Sequence, residues 1–515
     1  MRKEFSSSAN RKIGVILQYG QMILGVLLSI LYTPILLSKL SGTNEYAVYS
    51  FSSSIVAYLP LLSLGFAASY LRFYSKYNTD KDDRGIAKLN GLYLIVFSII
   101  GFLSLIIGGI IAINSEAFFN LREFSDIDVG LSKKLILVLT INTAISFPAS
   151  LFTSYVTSQE KFIFQKFLSM FKSVLTPVLI IIALFLGGRA LTLVLIITSV
   201  SFITDIYLIF YCFKKLKMRI DIKRPNFALL KDLLIFSIFI AINQLVDQLN
   251  WQTDKILLTK LTTGAAVTAY TLGSTINSYY MSISSSISSV FAPSINMIVA
   301  SKKSDKEINK SLSILFNKVG RIQFEVLMLI ILGFIFFGKY FMSKWASGYE
   351  DACYIALLLI IPVSLPLIQN TSIEIRRAKN KHKFVSLIYL GTALFNVAIS
   401  VPLIYFWGAI GAATGTFLSV ILNTVFSSIY NHRKVGIDII DFWKEIFKVL
   451  PSIVLPSMVG VLIMIAIPEM SLISFIAAIF VFSSLYCLSL WAFGLNNFEK
   501  KLFSDAVKGI TNIQK

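Results

Sequence analysis

Apolar runs of membrane-spanning length recur along the whole chain and alternate with short polar segments. A helix needs about 20 apolar residues to cross ~30 Å of hydrocarbon. The runs predict about fourteen transmembrane helices and therefore an all-α polytopic membrane protein. The predicted spans are 13–37, 46–70, 89–113, 134–157, 168–186, 190–213, 232–256, 266–291, 311–337, 352–373, 384–406, 409–430, 447–467 and 470–493.

The composition and the placement of charge support this class. The chain has 515 residues, of which 56% are hydrophobic and 14% charged, whereas soluble domains are ~45–50% apolar and ~25% charged. A net charge of +20 in a soluble protein would indicate a nucleic-acid partner. Here 38 of the 47 Lys and Arg residues fall in alternate, predicted inner segments. The positive-inside rule explains this bias and predicts that both termini are cytoplasmic, with no nucleic-acid partner.

An internal repeat organises the chain. Pro34–Ile55 aligns without a gap on Lys255–Ile276, 221 positions later. Identical residues meet Ile35, Leu36, Leu37, Lys39, Leu40, Tyr49, Ser53 and Ile55, and a threonine meets Ser38, Ser41, Ser50 and Ser54. The alternative is chance similarity between two apolar helix ends, but the match includes a polar hairpin.

The spacing of the two copies predicts the arrangement of helices. The copies begin at helices 1 and 7, an even number apart, so they point the same way and form a parallel repeat. A second pair, Pro148…Thr153-Ser154 and Pro366…Thr371-Ser372, has nearly the same offset. We therefore expect two six-helix lobes, at 1–218 and 219–436, followed by a terminal helix pair and cytoplasmic tail at 437–515.

Two further segments have predicted roles at the membrane. The small residues of 408–415 (GAIGAATG) predict a close contact between helices. Phe498, Leu502, Val507 and Ile510 alternate with lysines and predict a short amphipathic helix on the inner surface. The basic linker 213–231 is interpreted as a topology determinant or a contact for anionic lipids.

Polar residues inside the spans are the candidate functional groups, because a charge at mid-bilayer costs ~2.5–3.5 kcal/mol on insertion scales. In helix 7, Asn243, Asp247, Asn250 and Asp254 share one face at 3.6 residues per turn. This stripe predicts the wall of a water-lined substrate cavity with ion-coupling carboxylates. The alternative is a stripe of structural hydrogen bonds against neighbouring helices.

Helix 1, the repeat partner of helix 7, adds the polar residues Gln18 and Gln21 to the candidate cavity but no acid. Thr33 occupies the position equivalent to Asp254. In helix 6, Asp205 is either a proton or cation site or part of a local pair.

The basic residues at the inner helix ends have two interpretations. Arg72 and Arg376 are topology charges or ligands for a diphosphate headgroup, since guanidinium binds phosphate in bidentate fashion. Glu325 lies one turn beyond Arg321 and is interpreted as its i,i+4 partner.

Motifs of soluble catalytic machinery are missing from the sequence. It contains no GxxxxGK[ST], HExxH, CxxC or GxSxG motif. Three Cys and two His leave little material for a metal site. We expect no metal, no cofactor and no enzyme, although a membrane glycan polymerase stays open as an alternative.

The chain resembles the polysaccharide repeat-unit flippases (Wzx type) of the multidrug/oligosaccharidyl-lipid/polysaccharide (MOP) exporter superfamily. The segments that carry the resemblance are GTNEYAVYSFSSSIVAYLPLLSLGFAASYLRFYSKY (Gly42–Tyr77), QTDKILLTKLTTGAAVTAY (Gln252–Tyr270) and WGAIGAATGT (Trp407–Thr416). The resemblance implies translocation of undecaprenyl-diphosphate-linked oligosaccharides across the bacterial plasma membrane by alternating access, for assembly of capsule, exopolysaccharide or cell-wall polysaccharide. It also implies a proton or sodium gradient as the driving force, a cavity lined by helices 1, 2, 7 and 8, and a polysaccharide polymerase and glycosyltransferases as partners.

The sequence departs from two other branches of that superfamily. Lipid II flippases usually carry an Arg and Asp cluster in helices 1 and 2, where this chain has Gln18, Gln21 and Ser29. Drug exporters often have an acid in helix 1, which is absent here. A multidrug/cation antiporter is the main alternative function.

Overall fold

The computed structural model of the chain describes residues 7–40, 44–223, 241–381, 383–501 and 504, with the backbone alone at 7–19, 67 and 68. Some predictions lie outside these residues. They are the linker beyond residue 223, the start of the span 232–256, and the amphipathic tail at Leu502, Val507 and Ile510.

The described secondary structure is helical. The α-helices are α1 Ser7–Leu40, α2 Glu45–Val56, α3 Phe66–Thr79, α4 Asp83–Ile113, α5 Asp126–Ser158, α6 Phe162–Phe185, α7 Ala190–Lys214, α8 described over 241–251, α9 Thr253–Leu261, α10 Gly264–Ser289, α11 Ala292–Val299, α12 Asp305–Trp345, α13 Ala352–Leu367, α14 Thr371–Ala378, α15 Lys383–Tyr430, α16 Ile439–Phe447, α17 Pro451–Ala466 and α18 Leu472–Ser489.

The helices bear out a polytopic membrane protein. Among the described residues, eight helices have the length and hydropathy of a membrane span, or up to eleven when three bent pairs count as one span each. The bent pairs are α10 with α11 (42°), α13 with α14 (40°) and α16 with α17 (47°). The other predicted spans are divided between α2 and α3, described in part as α8 and α9, or joined within α15.

A glycine separates the two predicted spans that share α15. Gly408 has φ 54° and ψ −129°, a left-handed conformation that side chains disfavour. A Cβ on Gly411 would lie 2.0 Å from the Leu403 carbonyl oxygen, and one on Gly415 would lie 2.2 Å from Ser400 Oγ. The two halves of α15 therefore pack at backbone distance, which confirms the predicted small-residue contact.

Helix 2 of the prediction is interrupted for a local reason. After α2 the chain forms a 3₁₀ turn at Leu59–Ser63 with Pro60 in its first turn. Leu64 and Gly65 then take positive φ values of 48° and 73° before α3 begins. Proline lacks a backbone donor and a left-handed residue ends helical geometry, so the apolar run does not form one continuous helix.

The chain contacts define two units. Unit 1 comprises 1–271 and 389–415, and unit 2 comprises 272–388 and 416–515. The predicted lobe limits at 218 and 436 follow the sequence repeat and stay a prediction.

Unit 1 is held by an aromatic core with a polar centre. The rings of Tyr70 and Tyr93 meet edge to face at 5.0 Å. The Tyr70 hydroxyl donates to Asn90 Oδ1 at 2.6 Å, and Asn90 Nδ2 donates to the Arg219 carbonyl at 2.8 Å. The segment after α7 is thereby fixed to α4.

Unit 2 builds its core from α12 and the terminal helices. Phe337 of α12 packs against Phe482 of α18 with ring centroids 5.6 Å apart. The Tyr486 hydroxyl donates to the main-chain oxygen of Glu325 at 2.8 Å. The terminal helices therefore pack on α12 through both apolar and polar contacts.

The sequence repeat has a direct structural counterpart in unit 1. Ser50 and Thr271 are equivalent positions of the two copies, and their hydroxyl oxygens lie 2.6 Å apart, both buried. Equivalent residues touch each other close to a two-fold axis. This contact is expected of two repeat copies related by such an axis.

The backbone contact within α15 generates a stability prediction. Gly411→Ala would push a methyl group into the Leu403 carbonyl, and we expect a loss of about 1–3 kcal/mol, as for overpacking in general. The measurement is the melting temperature of the purified protein in detergent. Gly391→Ala in the same helix is the control, because a Cβ there meets no atom within 4 Å, and its melting temperature should hold or rise. Equal melting temperatures for the two variants would contradict the close packing.

Candidate functional site

The polar segment of helix 7 is bent into two helices. α8 is helical to residue 251, and α9 begins at Thr253 after Gln252, whose φ and ψ are −115° and −30°. The break matters because it ends the regular face that the 3.6-residue period predicts. Residues before and after Gln252 therefore meet different surroundings.

Tyr58, which follows α2 in the predicted span 46–70, forms hydrogen bonds on both sides of this break. The Tyr58 hydroxyl lies 2.6 Å from Thr253 Oγ1 and donates to the Gln248 carbonyl at 3.1 Å. One phenol thus contacts both helices, α8 through Gln248 and α9 through Thr253. In hydrocarbon, a polar backbone group needs such a partner inside the protein.

Asp254 forms a buried hydrogen bond at the start of α9. Its side chain is 1% exposed, and the Tyr270 hydroxyl donates to Asp254 Oδ2 at 2.5 Å. The carboxylate sits in the first turn of α9, where the positive end of the helix dipole favours negative charge. Asp254 therefore joins α9 to α10.

The first repeat copy lacks this pair. Thr33, the equivalent of Asp254, donates to the Ser29 carbonyl of its own helix at 2.8 Å. Tyr49, the equivalent of Tyr270, is half-buried in α2. The two copies share a backbone pattern but differ in chemistry, as the sequence predicts.

The residues of α8 show a different kind of environment. Asp247 is exposed, and Asn243 and Asn250 are half-buried. The side-chain amide oxygens of Gln244 and Gln248 are buried, yet neither has a hydrogen-bond partner within the described part of the chain. Two unsatisfied acceptors one helical turn apart are suited to a ligand that brings donors.

The remaining predicted cavity residues are dispersed. Gln21 of α1 is half-buried, and the side chain of Gln18 lies outside the described residues. Asp205 of α7 is half-buried and lines a groove of about 480 Å³ with mostly apolar residues of α4 and α5, including Phe102 and Pro148. None of the described α8 residues lines the groove that contains Asp205.

The two predicted headgroup arginines differ in accessibility. Arg72 of α3 is exposed, whereas Arg376 of α14 is 4% exposed. Arg376 Nη1 donates to Ser372 Oγ at 2.9 Å and to Asn431 Oδ1 at 3.0 Å. An anion reaching Arg376 would first have to displace these bonds, whereas Arg72 lies at the surface beside the Phe73 ring. Both assignments stay predictions.

The serine-rich helix α10 uses many of its hydroxyls internally. Ser278, Ser282 and Ser286 each donate to the carbonyl four residues earlier. Others join helices of unit 2, such as Tyr280 to Ser364 at 2.7 Å. A large share of the hydroxyls is therefore used in bonds within the helix or between packed helices.

Sequence reasoning placed weight on Asp254 and Asp247 and did not choose the polar groups around them as site residues. Tyr58, Tyr270, Gln244 and Gln248 complete the polar set. The identity of Tyr49 with Tyr270 in the repeat was a usable signal for one of them. The i,i+4 spacing of the two glutamines was another. Within the described residues there is no group of three His, Cys, Asp or Glu that would hold a metal ion.

The Asp254–Tyr270 bond generates a second stability prediction. Tyr270→Phe leaves a buried carboxylate with one donor fewer, which costs about 1–3 kcal/mol. The melting temperature in detergent should therefore fall, while Tyr405→Phe, at a residue 78% exposed, should leave it unchanged. If Tyr270→Phe melts like the wild type, the bond does not hold α9 to α10.

Comparison with known proteins agrees with this architecture. Residues 11–299, more than half of the chain, match the family described as polysaccharide biosynthesis protein. No curated protein matches the chain by sequence.

Solved structures with the same fold are transporters. The lipid II flippase MurJ in an inward closed conformation aligns with a TM-score of 0.68 and 17% identity, over 93% of this chain and 97% of that one. An inward-facing multidrug resistance MATE family transporter of the MOP superfamily aligns with a TM-score of 0.64 and 12% identity, over 82% of this chain and 98% of that one. A MOP superfamily transporter from Pyrococcus furiosus aligns with a TM-score of 0.56 and 14% identity, over 82% of this chain and 95% of that one.

These likenesses show the two-lobed helical fold of MOP transporters. Together with the sequence match, they identify the chain as a multi-pass membrane protein that belongs to the polysaccharide biosynthesis protein family.

Proposed function

We propose that the protein is a flippase that moves undecaprenyl-diphosphate-linked oligosaccharide repeat units from the inner to the outer leaflet of the bacterial plasma membrane by alternating access. The family match and the transporter fold support the class of activity. The observation that carries the choice of a glycan is the polar set on α8. Buried acceptors without partners suit a hydroxyl-rich ligand better than an apolar one.

The glutamines give the proposed site its hydrogen-bonding capacity. Gln244 and Gln248 lie on one face of α8, and their carbonyl oxygens accept bonds from sugar hydroxyls in our proposal. Asn243 and Asn250, both half-buried, extend the same polar surface. Specificity for a hydroxylated ligand follows, because a buried acceptor left unpaired lowers affinity.

Asp247 is our candidate for ion coupling. It is an exposed carboxylate within the predicted span 232–256, and ionisable residues in such segments commonly serve transport. Asp254, by contrast, is buried and bonded to Tyr270, so its proposed part is to position the helix break. The driving force in this account is a proton or sodium gradient.

The proposed headgroup contact begins at Arg72. Its exposed guanidinium, at a predicted cytoplasmic helix end, is suited to a diphosphate. Both termini are cytoplasmic in this orientation. Such a flippase requires glycosyltransferases that build the lipid-linked unit inside and a polymerase that consumes it outside.

A multidrug or cation antiporter is the second candidate. The MATE fold match and the exposed carboxylate Asp247 favour it. The two candidate functions differ in their substrate. A flippase moves a lipid-linked glycan between leaflets, and an antiporter exports a soluble cation.

The test is a flipping assay in liposomes with a fluorescent undecaprenyl-diphosphate oligosaccharide and an impermeant quencher. We expect wild-type flipping to accelerate when a proton or sodium gradient is imposed. Asp247→Asn should abolish this acceleration while leaving the melting temperature unchanged. Asp126→Asn, at another exposed carboxylate, is the matched control and should behave like the wild type.

Three results would count against the proposal. Retained gradient dependence in Asp247→Asn would remove that residue from the coupling site but leave the flippase. Absence of flipping for every lipid-linked glycan tried would reject the flippase. Efflux of a cationic dye under the same gradient would then establish the antiporter.

A further inference from the structure

A buried ionic cluster in unit 2 lies outside everything proposed above. Arg321 of α12 is 3% exposed and sits among groups from α16 and from the segment that follows α18. Its Nε and Nη2 donate to the two oxygens of Glu499 at 2.7 and 2.9 Å. Main-chain oxygens of Glu445 and Gly494 accept at 2.7 and 2.9 Å. The guanidinium is thus held by two separate segments, α16 and the segment that follows α18.

Two more carboxyl groups reach the same arginine. Glu445 lies 3.6 Å and Glu325 lies 3.9 Å from its terminal nitrogens. Lys448 pairs with Glu445 at the exposed side of the cluster. Three carboxyl groups therefore share two cations, and one carboxyl has no cation of its own.

Burial identifies the surplus group as Glu325. Glu445 is partly exposed and has Lys448, and Glu499 has the bidentate bond to Arg321. The side chain of Glu325 is 9% exposed, and its Oε1 makes no hydrogen bond to any described residue. An uncompensated buried carboxylate is expensive, so such a group takes up a proton instead.

The position of the two carboxyl groups on Arg321 supports the same conclusion. Both approach the same nitrogen, Nη2, with Glu499 at 2.9 Å and Glu325 at 3.9 Å. Two carboxylates that share one buried site disfavour each other's ionised form. The bidentate bond to Arg321 holds Glu499 in its ionised form, which leaves the proton on Glu325.

We propose that Glu325 is a proton-binding site, and that its proton keeps Arg321 paired with Glu499. When the proton leaves for the aqueous side through the partly exposed Glu445, Glu325 becomes a carboxylate 3.9 Å from Arg321. It then competes with Glu499 for the guanidinium. The segment after α18 then loses its bidentate Glu499 bond to α12 and keeps only the Gly494 carbonyl on Arg321, while the Tyr486 bond to the Glu325 main chain is unaffected.

The groups that face Glu325 are accounted for on each packed element. They are Arg321 on its own helix, Glu445 on α16, Tyr486 on α18 and Glu499 beyond it. The inference does not depend on the transported substrate.

Infrared spectroscopy of the full-length protein in nanodiscs tests the site. A protonated carboxylic acid has a C=O band that carboxylates and amides lack, and it shifts in D₂O. We expect Glu325→Gln to remove one component of this band. Glu499→Gln should remove it as well, because Arg321 is then free to pair with an ionised Glu325. Glu374→Gln, at a carboxylate paired with the exposed Arg377, should leave the band intact.

The two variants make the outcome decisive. A wild-type band in Glu325→Gln would overturn the proposal. Loss in Glu325→Gln with full retention in Glu499→Gln would overturn the coupling through Arg321. If Glu325→Gln does not fold, as judged by gel filtration, Glu499→Gln alone decides by loss or retention of the component.

Discussion

The structure depends on one constraint, that polar groups within hydrocarbon must find partners inside the protein. The break of helix 7 at Gln252 shows how the chain meets it. Tyr58 contacts the backbone of α8 and the first residue of α9, and Tyr270 bonds the carboxylate of Asp254. These bonds fix the bend, and the bend separates a structural carboxylate from the exposed Asp247.

The internal repeat makes this division of roles visible. Ser50 and Thr271 still touch as equivalent residues, so the common backbone plan is preserved. At another equivalent pair, Thr33 bonds its own helix, whereas Asp254 bonds a different helix. One copy of the repeat bonds within a single helix at this position, and the other joins α9 to α10 through a buried carboxylate.

Much of the fold follows from apolar run length and glycine placement. The boundary between predicted spans 384–406 and 409–430 coincides with Gly408, because a left-handed residue and small neighbours encode the turn locally. The distant hydrogen-bond partners of the arginines, by contrast, do not follow from the sequence. Arg321 lies 3.9 Å from its predicted i,i+4 partner Glu325, but its bidentate partner is Glu499, 178 residues later, which the sequence did not predict. Arg376 was predicted to be a topology charge or a headgroup ligand, and the sequence did not predict that it is buried against Asn431. The helical period predicts which residues share one face of a helix. It does not predict which distant segment packs on that face.

The most direct test of the central claim is to locate the glycan on the protein. An undecaprenyl-diphosphate oligosaccharide with a photoactivatable group on its sugar would be reconstituted with the wild type, irradiated and mapped by mass spectrometry. The account predicts adducts on α8 around Gln244 and Gln248, reduced in a variant with both changed to Leu. Adducts confined to exposed apolar positions such as Val454 and Leu462 of α17, and unchanged in that variant, would contradict it.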